Sequence, residues 1–388
     1  MASIQLQGDN SGSLTIQAPS DAGNNTLTLP ATSSTLATQN ALGVRNLIIN
    51  GDMQIAQRGT SATGKNTGGY YTVDRFGFFP SGLGTWTNTQ STDIPTGQGF
   101  THSFKLECTV AAASLVAAAA GTIQQRIEGQ NCQYLNYGTA SAKTTTLSFW
   151  VKSNKTGTYN FNLKKDDDNR RIVKQYTISA ANTWEKKTIT IAGDTTGAIN
   201  NDNGIGLQLT FWLGGGSDYT SGSVPSGWSA ASTTDYAPNQ VNLADSTSNY
   251  INITGVQLEV GDTATPFAHR PYDMELARCQ RYYEKSYNTG TVPGTVTHIG
   301  AGSSRAAKVS TIVNDAAERF RVSKRTDPTV TWYSPVTGAS GVISAGNIER
   351  TVSGTQFQSE NATGNPILTV APADGDQLYS HYTADSEL

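Results

Sequence analysis

Charge is scarce in this 388-residue chain: Asp, Glu, Lys and Arg together make up 15%, and its 27 basic and 30 acidic residues form no long block of one sign. A nucleic-acid partner needs a concentrated basic face to displace counterions from phosphates, so none is expected. Cysteine is scarce too. Cys108, Cys132 and Cys279 are widely spaced and outside any CxxC or Cys/His grouping, which makes them buried thiols of a protein folded in a reducing cytoplasm. His102, His269, His298 and His381 show no HxH, HxxxH or HExxH spacing, and a Gly-x-Ser-x-Gly elbow, a phosphate loop and a Gly-x-Gly-x-x-Gly turn are all missing. No metal site, cofactor or catalytic residue is therefore expected, and the chain is not read as an enzyme. No apolar run is long enough to cross a bilayer, and the opening Met1-Ala-Ser-Ile-Gln-Leu-Gln lacks the basic and apolar regions of a signal peptide. The expectation is a protein folded in a cytoplasm and not inserted in a membrane, which leaves by lysis rather than by secretion if it works outside a cell.

What is abundant is Gly, Ser, Thr, Asn and Ala, a composition of β-rich surface proteins. Residues 1–42 alternate apolar and polar, with Ile4 and Leu6, then Leu14, Ile16 and Ala18, then Leu27 and Leu29, and with Gly, Asn and Pro between the runs. This pattern predicts short strands and tight turns. A segment of about forty such residues buries too little surface to be stable alone, so it is expected to dock on its own copies or on a larger assembly.

From 44 to 268 strands are predicted at 46–50, 103–108, 145–151, 158–163, 187–191, 206–212, 250–254 and 256–260. With turn signals between them and no helical period, they indicate an all-β fold, a sandwich or jelly roll. Residues 269–289 read as a helical linker, with one helix over 273–285. Asp273 can cap its first turn, Glu275 faces the positive end of its dipole, and Leu276, Cys279 and Tyr283 form a narrow apolar stripe. A smaller C-terminal β-domain follows at 290–388, with runs at 295–299, 307–313, 318–322 and 329–333. No repeat of fixed period indicates a solenoid or β-helix.

Three stretches carry a resemblance: Asn46-Leu-Ile-Ile-Asn-Gly-Asp-Met-Gln-Ile-Ala-Gln-Arg-Gly59 with Tyr71-Thr-Val-Asp-Arg-Phe76, Asn249-Tyr-Ile-Asn-Ile-Thr-Gly-Val-Gln-Leu-Glu-Val-Gly261 with Ala264-Thr-Pro-Phe-Ala-His-Arg270, and Leu276-Ala-Arg-Cys-Gln-Arg-Tyr-Tyr-Glu284. They resemble tail-fibre proteins of marine phages and cyanophages. The opening Asn50-Gly51-Asp52 and the Ser148-Phe-Trp-Val-Lys152 strand also look like the entry and middle strands of carbohydrate-binding jelly rolls. The resemblance implies a structural virion protein, a homotrimeric fibre that is fastened to other tail or baseplate proteins by residues 1–42. It would bind a host-surface glycan or protein without covalent chemistry. Two alternatives stand beside it: a tailspike depolymerase with carboxylates on distant strands, and a bacterial carbohydrate-binding protein. Related jelly rolls often hold a structural calcium at the place of Thr254-Gly255. Neither residue offers a carboxylate, and Asp52 with Glu259 falls short of the roughly six to eight oxygens calcium prefers.

The candidate recognition residues fall in two places. The Gly-rich loop 214–236 carries Tyr219, Trp228 and Tyr236, on which a sugar ring could stack, although Tyr219 and Trp228 equally suit a cover over the sandwich end. At the far end, Trp332, Tyr333, Tyr379, His381 and Tyr382 are candidate receptor contacts, with alternation placing Trp332 and Tyr333 on opposite faces. A fibre fastened at its N-terminal end presents its far end first, so recognition is expected in 290–388. Asp166-Asp167-Asp168 beside Arg170 and Arg171 reads as a charged hairpin tip.

Overall fold

Alternation along the chain becomes alternation of faces in three dimensions. The computed structural model describes residues 3–7, 11, 13–17, 45–305, 312–313, 320–357, 366–370 and 376–388, within two units, Met1–Gly43 and Val44–Leu388. In the first unit β1 (Ser3–Gln7) and β2 (Ser13–Gln17) form an antiparallel hairpin, with Ile4 opposite Ile16 and Leu6 opposite Leu14. The runs expected at Ala18, Leu27 and Leu29 lie outside the described residues.

The second unit opens with β3 (Ser61–Lys65), β4 (Gly77–Ser81), β5 (Thr85–Ser91), β6 (Ser103–Val110), β7 (Ala120–Glu128), β8 (Thr145–Ser153), β9 (Gly157–Lys165), β10 (Arg170–Ile178), β11 (Glu185–Ile191), β12 (Ile205–Gly215), β13 (Ser229–Ala230) and β14 (Tyr250–Val260). Two antiparallel sheets result, one ordered β13-β10-β9-β12-β7-β4 and the other β11-β8-β14-β6-β5-β3. The fold is the expected all-β sandwich. Leu147, Phe149 and Val151 of β8, Tyr159, Phe161 and Leu163 of β9, and Leu207, Leu209, Phe211 and Leu213 of β12 fill the space between the sheets, none more than 1% exposed. Burying each such side chain is worth roughly 1.5–3 kcal/mol, so period-two placement is the main source of the sandwich's stability.

The two strands expected at 250–254 and 256–260 are one. Ile251 and Ile253 point inward before a register shift between Thr254 and Gln257, and Val256 and Leu258 point inward after it. Gly255 makes the shift at φ 62°, where a Cβ would come within 2.6 Å of the Phe100 ring. Without the extra residue the second half would turn its apolar side chains outward. The strand expected at 46–50 does not form, because side-chain amides replace the ladder. Gln125 exchanges two hydrogen bonds of 2.9 Å with the Ile49 backbone, and Asn46 accepts from Ile48 N and Leu258 N while donating to the Val256 carbonyl.

Two α-helices are present among the described residues, α1 (Ser217–Thr220) and α2 (Tyr272–Gln280). The predicted helix 273–285 is shortened at its C-terminal end. Its last residues form β15 (Tyr283–Lys285) instead, because their backbone groups pair with β23 (Gln377–Asp385). Pro271 occupies the N-cap position, so Asp273 sits exposed in the first turn and caps nothing. Between β15 and β23 lie β16 (Gly302–Arg305), β17 (Ile312–Val313), β18 (Thr329–Tyr333), β19 (Val342–Ala345), β20 (Ile348–Thr351), β21 (Gly354–Phe357) and β22 (Pro366–Thr369). Strand β23 is the spine, pairing with β15, β16, β18 and β19. The run expected at 295–299 forms no strand: the Thr295 hydroxyl donates to the Val292 carbonyl at 2.6 Å, and the Thr297 hydroxyl accepts from Ile299 N at 3.1 Å. The expected boundaries at 268 and 289 fall inside one compact unit. Cys279 and Tyr282 are buried with Ile49 and Ile55, so the segment read as a linker is packed against both the sandwich and the C-terminal sheet.

Candidate functional site

The residues of the three motifs converge, but on a buried joint rather than a surface. Asn50, at φ 59°, donates to the carbonyls of Ile55 and Asp74 at 2.8 and 2.9 Å and accepts from Ile55 N at 2.9 Å. Its own N–H is bound by Glu275 of α2. A Cβ on Gly51 would lie 2.1 Å from the Val256 carbonyl oxygen, so the Asn-Gly-Asp turn is fixed by a close backbone approach. Asp74 accepts from Gln57 N and Nε2 at 3.0 and 2.6 Å, and Gln57 Nε2 also donates to the Tyr283 carbonyl at 2.7 Å. Glu128 of β7 accepts from Arg281 at 2.6 and 2.7 Å and from the Tyr282 hydroxyl at 2.5 Å. Asn50, Asp74, Arg75 and Glu128 are all buried. Burial pushes the Asp74 carboxyl up to about 6, with Arg58 and Gln57 pulling part of the way back. Burial alone would raise Glu128 as well, but its bonds from Arg281 and Tyr282 hold it below the usual carboxylate range.

A second cluster of polar and aromatic side chains lies on the outer face of the sheet containing β12. Because Leu207, Leu209, Phe211 and Leu213 point inward, Gln208, Thr210 and Trp212 point outward. Across β7, β12, β9 and β10 the registers place Gln124, Thr210, Asn162 and Val173 in one row, and Arg126, Gln208, Lys164 and Arg171 in the next. The chain after β12 folds back over this face. Gly216 N bonds to the Ala119 carbonyl, Gly222 N to Thr234 and Ala237 N to Tyr219, at 2.7, 2.9 and 2.8 Å. Asn160 Nδ2 and Gln175 Nε2 hold the Pro238 carbonyl at 3.0 and 2.7 Å.

Trp212, Tyr219 and Tyr236 cluster beneath this loop, with ring centroids 5.3, 6.0 and 6.2 Å apart. The Arg171 guanidinium carbon lies 4.1 Å from the centre of the Tyr236 ring. The polar groups here are unusual. Asn162, Arg171 and Trp212 are 1%, 0% and 4% exposed, yet the Asn162 amide, the Trp212 indole N–H and all three guanidinium nitrogens of Arg171 have no hydrogen-bond partner in the protein. The Asp235 carboxylate is 3.9 Å from Arg171 Nη2, beyond hydrogen-bond reach. Leaving a buried polar group unpaired costs about 1–3 kcal/mol, more for a charge, and three such residues lie together here. Tyr219, Asp235 and Tyr236 are half-buried, which opens the rim to solvent.

Of the residues expected in the loop, Tyr219 and Tyr236 are therefore brought together, and Trp212 completes the triangle. Trp228 is elsewhere: it packs on the sandwich core, its ring edge-to-face with Tyr137 at 5.7 Å and its N–H donated to the Ala192 carbonyl at 2.6 Å. The residues expected at the far end are mostly interior. Trp332 (4%), His381 (0%) and Tyr382 (4%) are buried, which corrects the expectation that they face a receptor. Their polar atoms are satisfied from within: Trp332 donates to Thr355 Oγ1 at 2.8 Å, Tyr382 to Glu284 Oε1 at 3.2 Å, and the His381 ring, stacked 3.7 Å from Tyr287, bonds to Ser286 and to the Thr297 carbonyl. Tyr333 and Tyr379 are half-buried against Tyr287 and His298. Trp332 and Tyr333 do face opposite ways along β18.

The acidic tip 166–169 joins β9 to β10, and its carboxylates are taken by Lys164, Asn200 and Lys165. At the calcium position Glu259 accepts from Gln257 and Thr265 and lies 3.4 Å from Arg45. Among the described residues no group of three or more His, Cys, Asp or Glu could hold a metal ion. Nor, among them, is any helix long and apolar enough to cross a membrane.

No protein-family model matches the chain, and no curated protein matches it. Among solved structures, the enzymatically active domain of tailspike protein 4 from bacteriophage CBA120 overlaps 56% of this chain and 21% of its own, at 14% identity and a TM-score of 0.31. A CBM4 structure overlaps 55% of this chain and 98% of its own, at 13% identity and 0.29. The family 11 carbohydrate-binding module from Clostridium thermocellum, in complex with a β-1,3-1,4-mixed-linked tetrasaccharide, overlaps 53% and 99%, at 13% identity and 0.26. The chain thus spans about a fifth of the tailspike domain. At these identities and scores the likeness assigns no role to any residue here.

Proposed function

We propose that the protein is a non-enzymatic glycan-recognition subunit of a phage tail fibre, and that it holds its glycan on the outer face of the β12 sheet, beneath loop 214–236. One observation carries the reading: Trp212, Tyr219 and Tyr236 offer aromatic faces at the spot where Asn162, Arg171 and the Trp212 N–H are buried without partners. Sugars combine apolar ring faces with hydroxyls, and they match a site of this kind better than an apolar peptide does. The phage assignment rests on the motif stretches quoted above, with residues 1–42 as the attachment to other tail proteins and a homotrimer as the assembled form. The sandwich is the better place for the site than the far end, where Trp332, His381 and Tyr382 are enclosed. The test is binding of the full-length protein to a glycan array, with Trp212→Phe as the decisive variant, since it keeps a ring and removes the N–H. Binding to a subset of glycans that this variant weakens several-fold supports the reading. Absence of binding, or binding indifferent to Trp212→Phe and Tyr236→Ala alike, overturns it.

A further inference from the structure

We infer that the glycan recognised on this face carries a carboxylate, and that Arg171 is the residue that reads it. This rests on the sheet face being the glycan site and narrows the class of glycan it takes. The unpartnered atoms are predominantly donors: the N–H groups on three guanidinium nitrogens, one indole N–H and the Asn162 amide, against the single acceptor Asn162 Oδ1. A ligand that satisfies them must bring acceptors. Sugar hydroxyls accept and donate equally well, and they neutralise nothing. The one carboxylate near this buried guanidinium, that of Asp235, stands 3.9 Å from Nη2 and makes no hydrogen bond to it, and a ligand carboxylate would accept from the planar fork two bonds at a time.

The surroundings agree. Arg171 shares its row with Lys164 and Arg126, while the carboxylates beside the row are Asp166, already paired with Lys164 at 2.8 Å, and Asp235. Arg126 is engaged by Gln208 Oε1 and by the Leu388 main-chain oxygen, while Arg171 has only Asp235, 3.9 Å away, and the ring of Tyr236 beside its guanidinium. Asp235 is kept at the rim by a close approach: a Cβ on Gly222 would fall 1.8 Å from its Oδ1, and its Oδ1 also accepts from Thr234 at 3.2 Å. A side chain at 222 would therefore move Asp235. Arg171 is enclosed under the Tyr236 ring, so the carboxylate of a hexuronate or sialate unit would reach the guanidinium by displacing the half-buried rim residues Asp235 and Tyr236, with the sugar ring against the aromatic cluster.

The experiment uses the full-length protein on an array in which each hexuronate- or sialate-bearing oligosaccharide is printed beside its carboxyl-reduced counterpart. The acidic member of a bound pair is expected to bind at least about tenfold more tightly than its reduced twin. Arg171→Gln should bring the acidic member down to the level of the reduced one. Asp235→Asn removes the competing carboxylate and should tighten acidic binding several-fold, and it decides the matter if thermal melting shows that Arg171→Gln fails to fold. If both members of each pair bind alike and Trp212→Phe weakens both, the carboxylate inference is overturned while the glycan site stands. If no member binds, both fall.

Discussion

The guanidinium carbon of Arg75 lies 3.4 Å from the ring centre of Tyr282, and with that contact the first motif stretch meets the third across the joint between the sandwich and the C-terminal sheet. Arg58 repeats the arrangement one residue on, 3.7 Å from the ring of Tyr283. Both guanidiniums also reach Glu387, so the end of the chain is held by the same pair. The most distinctive residues of this sequence are used to fix one part of the fold against another.

At this joint Lys324 and Glu284 form an ion pair with both side chains fully buried, 2.5 Å apart. Glu284→Gln strands the ammonium and is expected to destabilise the protein by about 3–5 kcal/mol in urea denaturation. Adding Lys324→Met removes the stranded charge and should recover most of that loss. A double variant no more stable than the single one would contradict this account.

Asp74 supplies a pH dependence. Burial sets its folded pKa to about 6 against an ordinary 3.8, so between these values the folded state holds a proton that the unfolded state has lost. Its contribution to stability is fully present below about pH 4 and lost as the pH rises through 6, amounting to roughly 2–3 kcal/mol. Glu128 and Asp194, both lowered, act in the opposite sense. Comparison of Asp74→Asn with the wild type from pH 4 to 7 isolates the Asp74 share. The wild type should lose stability relative to the variant as pH rises, and an unchanged difference would refute the assignment.

Gly255 and Gly51 allow close approaches that no side chain tolerates. Gly255→Ala would combine a left-handed backbone with a Cβ 2.6 Å from Phe100 and is expected to cost about 1–3 kcal/mol. The shift of the thermal midpoint measures it. A neutral result would mean that the bulge in β14 can be relaxed.

How much of this was legible follows from period two. Alternation shows the strands in which it is clean, such as β8, β9 and β12, and it equally implies that Trp212, Asn162 and Arg171 share the outer side, whereas the aromatic loop by itself offers Tyr219, Trp228 and Tyr236, of which Trp228 packs elsewhere. What alternation does not show is which outer face a distant loop covers; that depends on backbone contacts such as Gly216 to Ala119. Trp332, His381 and Tyr382 misled for the same reason, since an aromatic near the end of a chain carries no mark of β23 running between four partner strands. The motif around Asn50 was visible as unusual, but its partners Asp74 and Glu275 lie 24 and 225 residues away.

Trp228 separates a structural aromatic from a recognition one. Trp228→Ala removes its hydrogen bond to Ala192 and its contact with Tyr137 and is expected to destabilise the protein by about 1–3 kcal/mol, less than a fully buried Trp, with glycan affinity unchanged. Titration calorimetry beside thermal melting checks both halves. A loss of affinity without a loss of stability would return Trp228 to the site.

The most direct measurement is hydrogen–deuterium exchange of the full-length protein with and without a glycan selected on the array. Slowed exchange in β9, β10, β12 and the loop 216–237 is the expected result, with 290–388 unchanged. Slowing confined to 290–388, with the β12 sheet and its loop unaffected, would contradict the placement of recognition on the sandwich.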